Sequence, residues 1–567
     1  LTIDVHLGAL AADSTTPAKA ARRLPLLPVA ALLREQSTMT AVERFSQQHV
    51  EVGAGVAQAK YYRDLIPLER PRPGEQYGFE VDLDQCTGCK ACVVACHTLN
   101  GLDEGEMWRT VGLLHGGNAA APAQQTVTTS CHHCVDPACM NGCPVGAYEK
   151  DALTGIVKHL DDQCFGCQYC TMMCPYDAPK YSEARGIVRK CDMCSDRLAH
   201  GEAPACVQAC PNEAIAIRIV DQAAMIQASE ANGFLPGAPS PEQTQPTTVY
   251  RTAKVMPNNM LPADFYVTRP EHAHVPLVIM LTLTQLSAGA FALALLVERF
   301  WGHPAGSPLM QAVFACAVAL IALGASIFHL GRPWLFYRAV LGIRTSWLSR
   351  EALAFGLFAQ LAIVYGVTAG SSLLPEFPGK AMLMAVSPHI RVGAAIIGVL
   401  GVLFSVMVYV ATRRQQWSVA ETGVRFLGTS MVLGSAAVLG VASMTTNADG
   451  LDRSKEALLS LIIAAVLSKL LFEGAGLLRV RDKQQSVQRR VATVMLGDLR
   501  RVTGLRFALA VAGGLLLPIV LANGLSSGRA AQMLTVLMLL ALTAAEVLER
   551  YLFFRAAPSS RMPGAIR

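Results

Sequence analysis

Residues 164–175 read Cys164-Phe-Gly-Cys167-Gln-Tyr-Cys170-Thr-Met-Met-Cys174-Pro175. This C-x2-C-x2-C-x3-C-P run is the one used to hold [4Fe–4S] clusters. Three closely spaced thiolates wrap one cubane, and the tight loop turns backbone N–H groups toward its sulfurs. The fourth thiolate points away along a short helix and ligates the other cluster of a pair. Working outward, related groups occur at Cys86, Cys89, Cys92 and Cys96, at Cys131, Cys134, Cys139 and Cys143, and at Cys191, Cys194, Cys206 and Cys210. Pro144 and Pro211 follow the second and fourth groups as Pro175 follows the third. The spacing alone leaves open which groups form pairs.

Sixteen of the seventeen cysteines therefore fall between Cys86 and Cys210, and Cys316 stands alone in an apolar run. Zinc also uses C-x2-C, but a zinc site has little need of a third cysteine at this spacing or of the proline. A disulfide framework would force strained pairings between near neighbours.

The rest of the 567-residue chain is of another kind. Over the whole chain apolar residues make up 52% and charged ones only 16%, against about a quarter charged in soluble domains. One soluble globule is excluded. The long apolar runs begin after about residue 274 and form eight segments near 275–297, 308–329, 351–371, 391–411, 425–444, 456–478, 504–522 and 531–549. Each is close to the roughly 20 residues that cross a bilayer. The net charge of +6 is small for this length, no nucleic-acid motif appears, and no nucleic-acid partner is expected.

The expected fold is thus a two-part protein, a ferredoxin-like α+β iron–sulfur domain followed by an all-α bundle of eight transmembrane helices. Residues 1–75 form an N-terminal extension in which Arg22 and Arg23 begin like a twin-arginine export signal, without a convincing cleavage site, and in which an amphipathic helix is expected around 38–60. Residues 76–235 carry the cysteines, with strands at Gly78–Leu83, Ile156–His159 and Ala214–Ile219. Residues 236–272, with Pro236, Pro239, Pro241 and Pro246, read as a linker or surface strap. The anchor occupies 273–556 and a short tail 557–567.

Residues 76–235 resemble the four-cluster iron–sulfur subunits of the molybdopterin oxidoreductases, especially the dimethyl-sulfoxide reductase type. Residues 275–555 resemble the membrane anchor subunit of the same enzymes, so the chain looks like a fusion of the two. The resemblance implies that groups one and four share two clusters and groups two and three the other two. The ligand sets would be Cys86/Cys89/Cys92/Cys210, Cys191/Cys194/Cys206/Cys96, Cys131/Cys134/Cys139/Cys174 and Cys164/Cys167/Cys170/Cys143. Nitrate-reductase relatives replace one cysteine of group three with tryptophan and hold a three-iron cluster there. Group three is complete here, so four cubanes are expected. Lys90 and Lys190 sit beside cluster cysteines, either as tuning charges or as plain solvated lysines.

In the anchor half, Phe328-His329-Leu330-Gly331-Arg332-Pro333 and Ser346-Trp347-Leu348-Ser349-Arg350-Glu351 resemble the family's recurrent segments on the side that meets the iron–sulfur subunit. The resemblance associates His329 and Glu351 with a quinol site, for menaquinone or ubiquinone. A quinol gives up two protons with its two electrons, and a histidine and a carboxylate are suitable acceptors. The bland alternatives are a turn histidine and a glutamate paired with Arg344 or Arg350. Lys469 and Glu473, four apart in the sixth span, share a helix face and read as an ion pair with a proton path behind it. Gln285 and Gln360 are weaker candidates. No haem is expected, because His272, His274, His303, His329 and His389 all fall at span ends or in loops.

An even number of spans puts both ends of the bundle on one side. Nineteen Arg or Lys flank the spans there, against six on the other side. The positive-inside rule then places the termini and the clusters in the cytoplasm of a bacterial inner membrane. Together these features predict an electron-transfer and anchor subunit, with no substrate-reducing site of its own. It would link the quinone pool to a separate molybdopterin catalytic subunit that reduces S- or N-oxides or oxidises sulfite. The alternative is a subunit of an ion-translocating or hydrogenase-linked complex, which predicts a continuous polar path across the bundle. A membrane redox sensor is a third reading, but no signalling segment accompanies it.

Overall fold

The computed structural model describes Thr40, Glu43 and residues 62–301, 306–373, 375–376, 378–445, 448–524 and 528–563. The twin-arginine stretch, most of the expected helix at 38–60, and His303 lie outside the described residues.

The cysteine-bearing part is built on short sheets that do the pairing. Strand β1 (Glu75–Asp82) runs antiparallel to β8 (Ile215–Asp221), with Glu75 opposite Asp221 and Val81 opposite Ile215. Group one follows β1 and group four precedes β8, so this ladder closes the two groups on each other. A smaller hairpin, β4 (Tyr148–Lys150) with β5 (Val157–His159), does the same for groups two and three. Strands β2 (Thr110–Gly117) and β3 (Pro122–Thr129) form a longer hairpin, and β6 (Lys180–Ser182) pairs with β7 (Ile187–Arg189). Side chains alternate between the two faces of each strand, and β1 over 78–81 and β8 over 215–217 are buried on both. Phe79 and Val81 are buried from β1, and Ile215 and Ile217 from β8.

Residues 236–272 do more than link. They supply β9 (Val249–Arg251), parallel to β1, and β10 (Leu261–Pro262), antiparallel to β2. A proline-rich stretch suits sheet edges, where a missing N–H is tolerated. A single 3-10 turn, Pro241–Gln243, lies between group four and these strands.

Eight helices among the described residues are long and apolar enough to span a membrane: Val275–Phe300, Pro308–Ile327, Trp347–Gly370, Lys380–Val410, Val419–Thr445, Ser454–Arg481, Arg500–Ala522 and Gly528–Arg555. Helices answer the need to bond every backbone group inside lipid. The fourth starts eleven residues before the expected position and contains Pro388. The seventh is interrupted by a π-helical turn at Ala512–Leu516, just before Pro518. Spans one and five touch backbone to backbone: a Cβ on Gly434 would lie 2.5 Å from the carbonyl carbon of Gly289. Small residues at such crossings are how membrane helices gain dispersion contact without a hydrophobic driving force.

Candidate metal centres and their seat on the membrane helices

In each cysteine group the residue before the second cysteine has positive φ: Gly88, His133, Gly166 and Met193, at 74°, 43°, 75° and 60°. This left-handed step curls each loop so that its thiols face inward. Backbone N–H groups then reach the sulfurs. Ala147 donates to Cys143 Sγ at 3.2 Å, Ala214 to Cys210 Sγ at 3.3 Å and Met193 to Cys191 Sγ at 3.4 Å. The helix Ala91–Leu99 carries Cys92 and Cys96 against Ala205–Gln208, which carries Cys206. Ala138–Asn141, with Cys139, packs on Tyr169–Met173, with Cys170.

Cys86, Cys89, Cys92 and Cys210 surround one small cavity of about 20 Å³. Cys131, Cys134, Cys139 and Cys174 surround another of about 20 Å³. Cys96 lies within electrostatic reach of Cys194 and Cys206, and Cys191 within reach of Cys96 and Cys194. Cys167 is likewise near Cys143 and Cys164, and Cys170 is near all three. Cysteines of each implied set thus lie near one another, and those of neighbouring sets also come close. All sixteen thiols are free. No three or more His, Cys, Asp or Glu among the described residues converge on a point that would hold a single ion. Thiols spread around a gap suit a cubane, whose cysteines sit on separate irons. Burial pushes the Cys194 thiol up to about 12 and the Cys174 thiol up to about 11. Bound iron, which needs thiolates, offsets that cost.

The sets form a row. Cys92 of the first faces Cys206 of the second, and Cys191 of the second faces Cys131 of the third. Tyr148 lies near Cys139 of the third and Cys143 and Cys170 of the fourth. Two basic groups lie along it. Lys190 is buried and donates to Val157 O, and at 2.9 Å to Cys191 O. Lys90 is exposed, so the two lysines differ. Arg109, not singled out from sequence, is buried over the Phe79 ring at 4.7 Å and close to Cys92, Cys96, Cys191 and Cys206. An arginine between two strands carries no spacing signal that would have marked it.

The fourth set sits on the membrane helices. The loop between spans two and three grips it: Arg332 N–H donates to Phe165 O at 3.0 Å, and the Arg332 guanidinium reaches Asp161 O at 2.8 Å. Gly342 N–H donates to Pro144 O at 2.6 Å, and Ser346 Oγ donates to Gly142 O at 2.7 Å. From span four's end, Arg414 donates to Met172 O and Thr171 O at 3.2 and 3.3 Å, and Tyr169 OH donates to Val408 O at 2.8 Å. Gly166, Gly186 and Gly331 meet without side chains: a Cβ on Gly331 would lie 2.1 Å from Gly186 O.

His329 is on this seam. Its Nε2–H donates to Cys167 O at 3.2 Å, and its buried Nδ1 has no hydrogen-bond partner among the described residues. Burial, then the neighbouring His274, pulls its pKa down to about 4. His272, His274 and His329 form an edge-to-face row with ring centroids 4.9 and 4.8 Å apart. Glu351 is buried at the start of span three and accepts a hydrogen bond from Ser405 Oγ. Arg350 does not pair with it and donates instead to Ile343 O and Arg344 O. His329 and Glu351 bond to different partners, but both face group three, Glu351 through Tyr169.

Lys469 and Glu473 do not pair with each other. Lys469 pairs with Glu546 of span eight and donates to Thr429 at 2.9 Å, while Glu473 accepts from Arg506 of span seven at 2.9 Å. The two side chains share a helix face, but different helices are packed against its upper and lower turns. They belong to a larger buried assembly that includes Arg425, paired with Glu549 at 2.6 Å, and Arg550, which donates to Gln285 at 2.9 Å. Arg425, Arg506 and Arg550 were among the nineteen flanking charges. On the other side Arg391 is buried against Glu298. Taking three from nineteen and one from six leaves sixteen against five.

A ferredoxin-like domain with four cysteine sets, seated on an eight-helix membrane bundle, defines a membrane-anchored iron–sulfur electron-transfer protein. This protein belongs to the dimethyl sulfoxide reductase anchor subunit (DmsC) family, which residues 271–555 match, while residues 123–219 match the 4Fe-4S dicluster domain. Over its first part it is similar to the B subunit of the anaerobic dimethyl sulfoxide reductase of Haemophilus influenzae, 37% identical over 189 residues, 32% of this chain and 91% of the relative. The corresponding Escherichia coli K12 subunit is 41% identical over 155 residues, 26% of this chain and 75% of its own length. The thiosulfate reductase electron transfer subunit PhsB of Salmonella typhi is 38% identical over 151 residues, 26% and 78%. The protein is thus an electron-transfer and anchor subunit in which an iron–sulfur part and a membrane part are fused.

Proposed function

We propose that this chain carries electrons between a membrane quinone, at His329 and Glu351, and a separate molybdopterin-bearing catalytic subunit. The single observation that carries the quinone part is the orientation of His329. Its Nε2–H is used on Cys167 O, which leaves the Nδ1 lone pair buried and open to the hydroxyl of a quinol. Glu351 is the second acceptor, fixed by Ser405 and buried in the adjacent span.

Four [4Fe–4S] clusters would be held by Cys86/Cys89/Cys92/Cys210, Cys96/Cys191/Cys194/Cys206, Cys131/Cys134/Cys139/Cys174 and Cys143/Cys164/Cys167/Cys170. When bound, they supply a row of one-electron centres whose potentials the surrounding charges and hydrogen bonds tune. The protein's part is to hold the row still and to seat its fourth member against His329. The names of the relatives support an S-oxide or related sulfur compound as the partner's substrate, reduced with electrons from quinol. Sixteen flanking cations against five support a cytoplasmic face for the clusters.

The test is purification from gently solubilised membranes with metal analysis. About one molybdenum or tungsten and roughly sixteen iron per chain, four clusters of four, with a large co-purifying subunit, is the expected result. Iron alone, with no large partner and no reduction of the clusters by quinol, would sink the reading.

A further inference from the structure

The assembly around Lys469 is larger than a structural pair needs and is incompletely bonded. Four cations, Arg425, Lys469, Arg506 and Arg550, are packed with three carboxylates, Glu473, Glu546 and Glu549, drawn from spans five, six, seven and eight. Thr429 and Gln285 complete it from spans five and one. Nε and Nη1 of both Arg506 and Arg550 are buried with no hydrogen-bond partner among the described residues. Guanidinium donors left dry at this depth are costly, so water is their expected partner.

Two edges of the assembly matter. At one edge, a cavity of about 330 Å³ opens from the cluster-bearing side, and Arg425 and Glu473 line it with Trp417, Glu421, Gly476 and Met495. That volume holds on the order of ten waters. At the other edge stands Tyr409, one turn beyond Ser405 on span four. It is buried, and within electrostatic reach of both Arg550 and Glu351. Polar groups thus lead from Glu351 through Ser405 and Tyr409 to Arg550, Glu549 and Arg425, and so to the cavity. All seven charged groups lie in the cluster-facing parts of their helices. The deepest on its helix, Lys469, is twelve residues from the end of Ser454–Arg481, roughly 18 Å at helical rise.

We propose that this assembly is the route by which protons exchanged at Glu351 reach the aqueous phase on the cluster-bearing side. The inference rests on the quinol site proposed above. Oxidation of one quinol to quinone yields two electrons, one to each of two oxidised clusters, and two protons. The two protons pass in turn from Glu351 by water near Tyr409 to the carboxylates and the cavity. The arginines and Lys469 do not carry it; they hold the water and fix the carboxylates. Proton exchange and electron exit then share one face of the membrane.

The test uses the full chain with its clusters in detergent, mixed rapidly with menadiol. Cluster bleaching and a pH-indicating dye are followed together. Glu473→Gln removes a carboxylate at the cavity wall. Gly476→Leu puts an apolar side chain into the cavity that Gly476 lines, where a Cβ meets no atom within 4 Å. Each is expected to slow bleaching and proton release together at least tenfold, with dithionite reduction unchanged and with formate restoring Glu473→Gln. Wild-type proton release in both variants overturns the route. Glu351→Gln separates the two ideas: if it slows bleaching while the cavity variants do not, the quinol site stands and the route falls. If Glu351→Gln bleaches at the normal rate, the quinol site itself fails, and the route with it.

Discussion

The Nε2 of His329 lies 3.2 Å from the carbonyl oxygen of Cys167, across the seam between the membrane helices and the cysteine-bearing domain. One residue thus touches both the lipid-embedded half and the ligand loop of the innermost cysteine set. His329→Leu removes the acceptor and the tie to Cys167. Loss of a general base typically costs 10²–10⁴-fold, so menadiol-driven cluster reduction should fall by about a hundredfold or more. Stopped-flow absorbance measures it, and dithionite reduction of the same variant should remain complete.

The sheet topology makes a specific statement about which cysteines act together. Cys96 belongs to group one, on the helix Ala91–Leu99, but the structure turns it toward Cys194 and Cys206. Cys96→Ala should therefore damage the site of group four and leave Cys86, Cys89, Cys92 and Cys210 with their cluster. Iron analysis should show the loss of about one cluster in four, and EPR of the reduced protein should lose one signal. Loss of both clusters with stable folding would argue that the two sites are not built independently.

What was legible in the sequence follows from where the chemistry is local. Four thiolates within a dozen residues must wrap something, and twenty apolar residues must cross something, so clusters and spans could be read without tertiary information. The buried ion assembly could not. Lys469 and Glu473 satisfy the helix spacing rule, yet Glu546 and Arg506 reach them from other spans and take them apart. Arg425, Arg506 and Arg550 lie within two turns of span ends, where an arginine ordinarily snorkels to water. Only the packing of five helices shows that they turn inward. The strands of the proline-rich strap were hidden for a similar reason: three residues of β9 have no alternation to read, and their register comes from β1.

Breaking one ion pair of that assembly should be costly. Lys469 is buried against Glu546 and Thr429. Lys469→Met leaves Glu546 with Arg506 at 3.5 Å as its one cation and the Thr429 hydroxyl as its donor at 2.6 Å. Removing one partner of a buried pair costs about 3–5 kcal/mol, while replacing both can be nearly neutral. Lys469→Met should lower the melting temperature in detergent, and adding Glu546→Met should recover part of the loss. A double variant less stable than the single would show that Glu546 is held mainly by Arg506 and Thr429.

The residues after span eight clasp the two halves. Glu271 N–H donates to Arg555 O at 2.9 Å, Ser560 Oγ donates to Pro175 O at 2.9 Å, and Arg561 pairs with Asp264. Met562 is then buried beside Cys134, Cys174 and Tyr176, in the core of the cysteine-bearing domain. Burying such a side chain contributes about 1.5–3 kcal/mol, and the ion pair holds it in register. Met562→Asp should leave the eight spans folded but loosen the upper domain. Limited proteolysis is the direct measurement: cleavage in the proline-rich strap at 236–272 should speed up, while helical content by circular dichroism stays constant. Unchanged cleavage would mean that the seam at Arg332, Gly342 and Arg414 holds the halves together without the tail.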